Sequence, residues 1–490
     1  MPLLRVFPVL GAIVMVFSVT MCVPLAVAWL MQDGALWAFP PAIAATFVLG
    51  LLLRSAVAVV GRNVELQTRD GILLVGLVWT LLPLCASFPL LIHFAQAGTP
   101  ISFTDAYFEA MSGLTTTGAT VISGLDALPG SINLWRCFLQ WLGGMGILVL
   151  AVAILPMLGV GGSQVFRAEA TGPMKEAKLT PRITETAKGL WSVYCGLSLV
   201  CVLAYWMGGM TALDAWAHMF TTMSLGGLST HDNSFGHFAS PTLEWIAIVF
   251  MLVASGNFAL YFVAVAKGSP GRIVRDQEWR STQALLLGGS LLVAMLLLVK
   301  GVMTDPLEAL RTAMFNVVSI GSTTGYSTTD YTLWPVFAPL FMILLSGIAT
   351  SAGSTGAGIK MARVLLLIKQ ARREMSRSIH PRMVRPVMLS GHAVDNGTLL
   401  SVLGFMLLYG GTIIGLTMVL MLSDMPFDTA FSAVVASVNN MGPGLGPVGP
   451  AGNFQGLNDF QTWVCTLAML LGRLEILSFL VLFTPGFWRR

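Results

Sequence analysis

One pattern occurs four times along this chain and leaves few ways to fold it: an amphipathic segment, a glycine in a small or polar setting, then a long apolar run. The copies are Asp105 to Gly118 (DAYFEAMSGLTTTG), Asp214 to Gly227 (DAWAHMFTTMSLGG), Thr312 to Gly325 (TAMFNVVSIGSTTG) and Thr429 to Gly442 (TAFSAVVASVNNMG). Aligned on the last glycine, they place Tyr107, Trp216, Met314 and Phe431 at one offset. Repeats in one polypeptide can surround a single axis. A short helix that ends at a glycine loop near mid-membrane aims backbone carbonyls at that axis, and carbonyl rings select cations. The pattern predicts a pore.

A bilayer is the only solvent that suits the rest. Of 490 residues 55% are hydrophobic and 10% charged, and the mean hydropathy is +0.79, too little polar surface for a soluble domain of this size. Ten apolar stretches of bilayer-crossing length run roughly over 4–30, 36–60, 70–95, 134–160, 185–207, 241–266, 281–303, 334–367, 396–422 and 460–485. The first lacks a small-residue cleavage site and reads as a retained helix. The motifs fall after the third, fifth, seventh and ninth stretches. The expected fold is therefore all-α and polytopic: two N-terminal helices (1–65), then four span, re-entrant loop, span repeats at 66–165, 166–270, 271–385 and 386–490. Cysteines 22, 85, 137, 195, 201 and 465 have no CxxC or metal-ligand spacing and read as free thiols.

Charge orients the chain. Of 27 Lys and Arg, three lie on the motif side, Arg136, Lys300 and Arg311; Arg473 and Lys360 fall inside spans. The others, among them Arg54, Arg62, Lys175, Lys178, Arg182, Lys188, Arg272, Arg372, Arg489 and Arg490, gather at the opposite face. By the positive-inside rule that face and both termini are cytoplasmic, and the loops enter from outside. Thirteen acids map to the outer side: Asp33, Asp105, Glu109, Asp126, Asp214, Asp232, Glu244, Asp305, Glu308, Asp330, Asp424, Asp428 and Asp459. Each by itself is compatible with an ordinary solvated surface; together they make a mouth that attracts cations.

Selectivity is expected in the loops, because unclaimed backbone carbonyl is the oxygen source a bilayer tolerates for a dehydrated cation. The flanking residues differ from loop to loop: Thr115, Thr116 and Thr117; Leu225 and Gly226; Ser322, Thr323 and Thr324; Asn439, Asn440 and Met441. Such unlike side chains cannot be equivalent ligands, whereas the main chain is common to all four. The alternative, glycines that merely turn the chain or let helices approach, requires no register among the copies.

RCFLQWLGGMGILVL (Arg136 to Leu150), TPRITETAKGLW (Thr180 to Trp191), SGNFALYF (Ser255 to Phe262), SIGSTTGYS (Ser319 to Ser327), ATSAGSTGAGIK (Ala349 to Lys360), NNMGPGLGP (Asn439 to Pro447) and LGRLEILSFLVLFTPGFWR (Leu471 to Arg489) carry a specific resemblance. Over essentially its full length the chain resembles the Trk/Ktr/HKT superfamily of potassium transporters, in its bacterial TrkH type. The resemblance implies pseudo-fourfold symmetry about one pore, a homodimer in the bacterial inner membrane, and a cytoplasmic nucleotide-binding regulatory subunit of the RCK type. It also implies potassium sites at Thr116, Thr117, Leu225, Gly226, Thr323, Thr324, Asn440 and Met441, followed by Gly118, Gly227, Gly325 and Gly442. Four glycines resemble the potassium-selecting version of the superfamily. The second and fourth loops depart from the TVGYG pattern of tetrameric potassium channels, so sodium exclusion is expected to be looser than in those.

Two features point to control of flow. The eighth span is interrupted over Ala349, Thr350, Ser351, Ala352, Gly353, Ser354, Thr355, Gly356, Ala357 and Gly358, where glycines and hydroxyls destabilise a helix. Close helix packing is one reading of these small residues; the resemblance implies an intramembrane gate beneath the third loop. Arg473 sits in mid-span, where a charge costs roughly 2.5 to 3.5 kcal/mol on insertion scales. It either pairs with another helix or stands in the pore below the loops; Glu475, two positions on, points to another side. The basic stretch from Lys360 to Arg385 suits anionic membrane lipid and, by resemblance, docking of the regulatory subunit.

Other classes fit poorly. The histidines are scattered and there is no HExxH, P-loop or strand-linked GxGxxG, so neither an enzyme, nor an organic cofactor on this chain, nor nucleic acid binding is expected. Inverted repeats would place loops on opposite faces. Potassium as the transported ion, with channel-like conduction, is the simplest expectation; a sodium- or proton-coupled symporter and a non-selective channel remain alternatives.

Overall fold

The computed structural model describes residues 2–55, 67–149, 183–384, 386–389 and 392–488. The ends of the second and fourth expected spans, the first two repeat boundaries, and Arg62, Lys175, Lys178, Arg182, Arg385, Arg489 and Arg490 lie outside the described residues.

Helices α1 (Pro2–Thr20), α2 (Cys22–Met31) and α3 (Phe39–Ser55) precede the repeats. α1 crosses α3 so closely that a β-carbon on Gly11 would stand 2.5 Å from the Gly50 carbonyl oxygen, the small-residue packing that replaces hydrophobic drive between helices in lipid. The first unit is α4 (Thr68–Gln96), α5 (Phe103–Leu114) and α6 (Gly130–Val149). The second is α7 (Ile183–Met207), α8 (Ala212–Met223), α9 (Pro241–Ala254) and α10 (Phe258–Ala266). The third is α11 (Gln277–Val299), α12 (Pro306–Gly321), α13 (Phe337–Ile348) and α14 (Met361–Ile379). The fourth is α15 (Asn396–Met421), α16 (Phe427–Val438), α17 (Asp459–Arg473) and α18 (Ile476–Leu480).

In the first three units the short second helix begins where its sequence supplies a side-chain cap; in the fourth it follows Pro426 without one. Ser102 accepts from the Asp105 amide at 3.0 Å and Thr211 from the Asp214 amide at 3.1 Å, and each hydroxyl donates back to that aspartate. Asp305 accepts from the Leu307 amide, with Pro306 at the first helical position. These devices satisfy orphan N–H groups and place acids at positive dipole ends.

Six helices among the described residues are long and apolar enough to cross a membrane; α9 and α10 together form a further candidate, bent by 87°. Among the described residues three of the ten expected stretches, the sixth, eighth and tenth, are broken, and the first is made of α1 and α2, which meet at Met21. Only the eighth was expected to break, yet the sixth bends at Ser255–Asn257, where the Asn257 side chain caps α10, and the tenth stops at Leu474. A second departure from all-α is a small antiparallel hairpin, β1 (Val387–Leu389) with β2 (His392–Val394), in the register Val387 to Val394. Leu366, Val387, Leu389, Val394, Leu399 and Val402 form a satellite core under it.

Packing runs around the molecule in a cycle. Each short helix contacts its own unit's flanking helices and also the helix that closes the preceding motif: α5 against α17, α8 against α6, α12 against α9 and α16 against α13.

Candidate functional site

The four short helices end identically. The Thr117 amide bonds the Ser112 carbonyl at 2.9 Å and Thr116 bonds Gly113 at 3.0 Å; Gly226 bonds Thr221 at 2.8 Å and Leu225 bonds Thr222 at 3.1 Å. In the other two units Thr324 bonds Ser319 and Thr323 bonds Ile320, and Met441 bonds Ala436 and Asn440 bonds Ser437. This paired 6→1 and 5→2 bonding is a Schellman cap, which needs a left-handed residue at its turn. That position is usually glycine, yet here it holds Thr116, Leu225, Thr323 and Asn440, at φ of 54°, 55°, 67° and 48°. The left-handed form costs an ordinary side chain roughly 1 to 2 kcal/mol. Glycine follows two residues later, with Gly118, Gly227, Gly325 and Gly442 at φ of 87°, 72°, 89° and 97°.

Those glycines touch one another's loops in order. A β-carbon on Gly118 would collide with the Gly226 carbonyl oxygen, one on Gly227 with that of Thr324, and one on Gly325 with that of Met441. On Gly442 it would lie 3.0 Å from the Thr117 carbonyl oxygen, which returns the cycle to the first loop. All four glycines line one open cavity on the motif side. Among the described residues no donor is bonded to the carbonyls of Thr116, Thr117, Leu225, Thr323, Thr324, Asn440 or Met441. Buried carbonyls without donors are rare in proteins, and here they sit at the negative ends of four helices. The arrangement suits a bare cation.

The interruption after α13 folds beneath this ring. Ala357 donates its amide to Thr323 Oγ1 at 3.3 Å, and Thr355 Oγ1 donates to the Met223 carbonyl at the end of α8 at 3.1 Å. Thr350 bonds Ala357 within the loop, Ser354 bonds Ser351, and Gly353 and Gly358 take φ of 73° and 84°. The half nearer α13 faces away from the glycines: Ser351 bonds the Ser255 carbonyl, Ala352 bonds Glu278, and the Gly353 carbonyl accepts from Phe258. Ala349 and Gly356 complete the loop, the latter packed on Ser322 and Thr323.

Arg473 is 3% exposed, donating from Nη1 to the Thr355 carbonyl at 3.0 Å and from Nη2 to Gly143 at 3.3 Å. Among the described residues no carboxylate lies within ion-pair distance of it. Glu475 instead pairs with Arg363 at 2.9 Å. Arg473, Glu475, Arg363, Lys360, Gly356 and Ala357 share a second cavity on the far side of the loops.

These features have counterparts. A family of cation transport proteins, TrkH, matches residues 40–489. The Trk system potassium uptake protein TrkH of Vibrio parahaemolyticus is 46% identical over 490 residues, covering 98% of each chain. That of Escherichia coli K12 is 42% identical over 483 residues, again covering 98% of each. The crystal structure of the potassium transporter TrkH from Vibrio parahaemolyticus superposes over 100% of both chains at 42% identity and a TM-score of 0.91. This chain belongs to the TrkH family.

TrkH membership makes it a membrane transporter and not an enzyme. Within this TrkH chain several residues act in ways that charge counting missed. Glu109, counted above among outer acids, is 1% exposed and pairs with Arg136 at 2.7 Å behind the first loop. Arg136 also reaches Asn133, the Ser229 carbonyl and Thr120. Glu244 pairs with Arg311 at 3.0 Å. The signal was present: a basic residue on a face nearly empty of them needs a partner. Gln140 had no such signal. It donates to the Gly226 carbonyl at 2.7 Å and accepts from the Leu228 amide at 3.1 Å. In the basic stretch Arg363 lies 4.2 Å over the Phe405 ring and Lys369 bonds Gln277 and the Met388 carbonyl, so part of it faces protein. The six cysteines are free, and Cys85, Cys137, Cys201 and Cys465 are buried.

Proposed function

We propose that this chain is the potassium-translocating subunit of a Trk-type uptake system, conducting ions channel-fashion through a filter made by its four glycine loops. One observation carries the reading: four left-handed caps in register set a cycle of carbonyls around four glycines, and among the described residues only that of Gly226, held by Gln140, has a donor. Such a ring replaces a hydration shell at fixed distance, and the varied side chains at Thr116, Leu225, Thr323 and Asn440 are irrelevant to it. The relatives are named for potassium uptake, which favours potassium as the ion.

The same reading takes the units as pseudo-fourfold repeats with the boundaries given above and ten membrane crossings, broken ones included. It puts both termini in the cytoplasm and the chain in the bacterial inner membrane as a homodimer with an RCK-type partner. The interruption from Ala349 to Gly358 serves as the gate, and Arg473 raises the barrier beneath the filter. Direct conduction is favoured over a sodium- or proton-coupled symporter because the buried carboxylates are engaged, Glu109 and Glu244 by arginines, Asp70 by the Gln67 amide, Asp214 by Thr211 and Thr230 and Glu278 by the Ala352 amide, and about 2.3 kcal/mol per charge per 100 mV already drives uptake. Purified protein in a planar bilayer, with potassium and sodium on opposite sides, tests it. A reversal potential displaced toward potassium equilibrium is expected; one near zero rejects the selective filter, and one that shifts with proton gradient alone rejects uncoupled conduction.

A further inference from the structure

Beside the vestibule, three ligand atoms converge that conduction does not use. Asp126 lies in the turn Leu125–Ala127 of the first unit; His231 precedes, and His237 lies within, the turn Ser234–Phe238 of the second. His231 Nδ1 stands 2.5 Å from Asp126 Oδ1, and His237 Nδ1 stands 3.8 Å from the same oxygen. The two imidazoles are parallel within 3°, their centroids 3.5 Å apart. One ligand atom from each residue lies within 4.8 Å of the other two.

We propose that Asp126, His231 and His237 bind a divalent transition-metal ion of the zinc type, which clamps the first two units at the vestibule and lowers cation entry. A hydrogen bond to one carboxylate oxygen needs one imidazole. Here a second is stacked on the first, its Nδ1 3.8 Å from the same oxygen and too far to bond it. A tetrahedral ion with bonds of about 2.0 to 2.2 Å holds its ligand atoms about 3.3 Å apart, between the two observed separations. An imidazole binds an ion in its own ring plane, so the half-exposed His237 ring must turn out of the stack to share an ion with His231; the fourth position is left to water.

The surroundings are those of a metal-binding histidine. His231 Nε2 lies 3.3 Å from Asp214 Oδ1, and Thr230 Oγ1 donates to that same oxygen at 2.7 Å. A small shift would let Asp214 accept a hydrogen bond from that nitrogen, and such a bond orients a metal-bound imidazole and raises its basicity. Asp126 is anchored too: its Oδ2 accepts from the Asp232 amide, and the Asp232 carboxylate accepts from the Gly124 and Leu125 amides at 3.0 Å each. Two imidazoles with one carboxylate suit zinc, nickel or copper better than calcium or magnesium. His231 lines the vestibule, so a bound ion adds positive charge beside the entry; this consequence rests on the pore reading.

The test uses the purified full chain. Calorimetry with Zn²⁺ should find one ion per chain, and Co²⁺ should give the intense visible bands of four-coordinate geometry. His237→Ala and Asp126→Asn should each weaken zinc binding at least tenfold, while His380→Ala, on an exposed helix end, leaves it unchanged. In planar bilayers zinc on the vestibule side should reduce wild-type current and leave His237→Ala current intact. No zinc-dependent heat, or equal affinity in His237→Ala and Asp126→Asn, overturns the site. Binding with undiminished current overturns the control of entry. Absence of current before zinc is added would count against the pore alone, since the calorimetry decides the site without it.

Discussion

Each glycine loop is braced by a different side chain, although the backbones match. Hydroxyls do it locally in two: Thr115 with Thr117 at 2.8 Å and Ser322 with Thr324 at 2.7 Å. In the fourth, Asn440 donates to Thr117 Oγ1 and to the Met469 carbonyl. The second loop, with Leu225 and Gly226, has no such group, and Gln140 reaches in from α6. Replacing it with alanine removes two buried hydrogen bonds worth about 1 to 3 kcal/mol together. We expect Gln140→Ala to lower the potassium-to-sodium permeability ratio about tenfold in bi-ionic recordings; an unchanged ratio would mean the loop holds itself. Glu109→Ala strands the Arg136 charge in the interior and should destabilise the protein by about 3 to 5 kcal/mol, seen as a lower thermal midpoint in detergent. An unchanged midpoint would show that water reaches the pair.

At the scale of elements, the interruption after α13 is built as a strut between units. Its Thr355 satisfies an orphan carbonyl at the end of α8, its Ala357 meets the third loop, and its Ser351 and Gly353 interlock with the bend between α9 and α10. Arg473, at the end of α17, fastens it through the Thr355 carbonyl. Removing that guanidinium takes away one anchor of the strut and, on the proposed reading of the pore, a buried positive charge beneath the filter. Arg473→Ala should therefore raise rubidium flux severalfold in proteoliposomes. Lower flux from folded protein would assign the arginine to packing instead. Glycines and hydroxyls from Ala349 to Gly358 marked this break in the sequence. The bend at Ser255–Asn257 went unmarked, because a lone SGN in an apolar run is also tolerated inside a helix and only the facing loop decides between the two.

For the whole molecule, charge asymmetry remains after the buried pairs are discounted, since Asp330 and Asp459 bond no basic group among the described residues. Neutralising both as Asp330→Asn with Asp459→Asn should lower rubidium uptake more at 10 mM salt than at 1 M, the Debye length shrinking from about 30 Å to about 3 Å. Equal loss at both would exclude steering. Membrane residence, the fourfold motif and the broken eighth span were legible in the chain, because each rests on local composition or periodicity; the left-handed turns at Thr116, Leu225, Thr323 and Asn440 were not, since these residues rarely adopt that form. Which loop follows which around the cavity, that Glu109 meets Arg136, that Gln140 serves a neighbouring unit's loop, and that Asp126 faces two histidines were decided only in three dimensions. These are contacts between residues tens to hundreds of positions apart, and no local propensity encodes them; they exist because four units close on one another and bring their ends together.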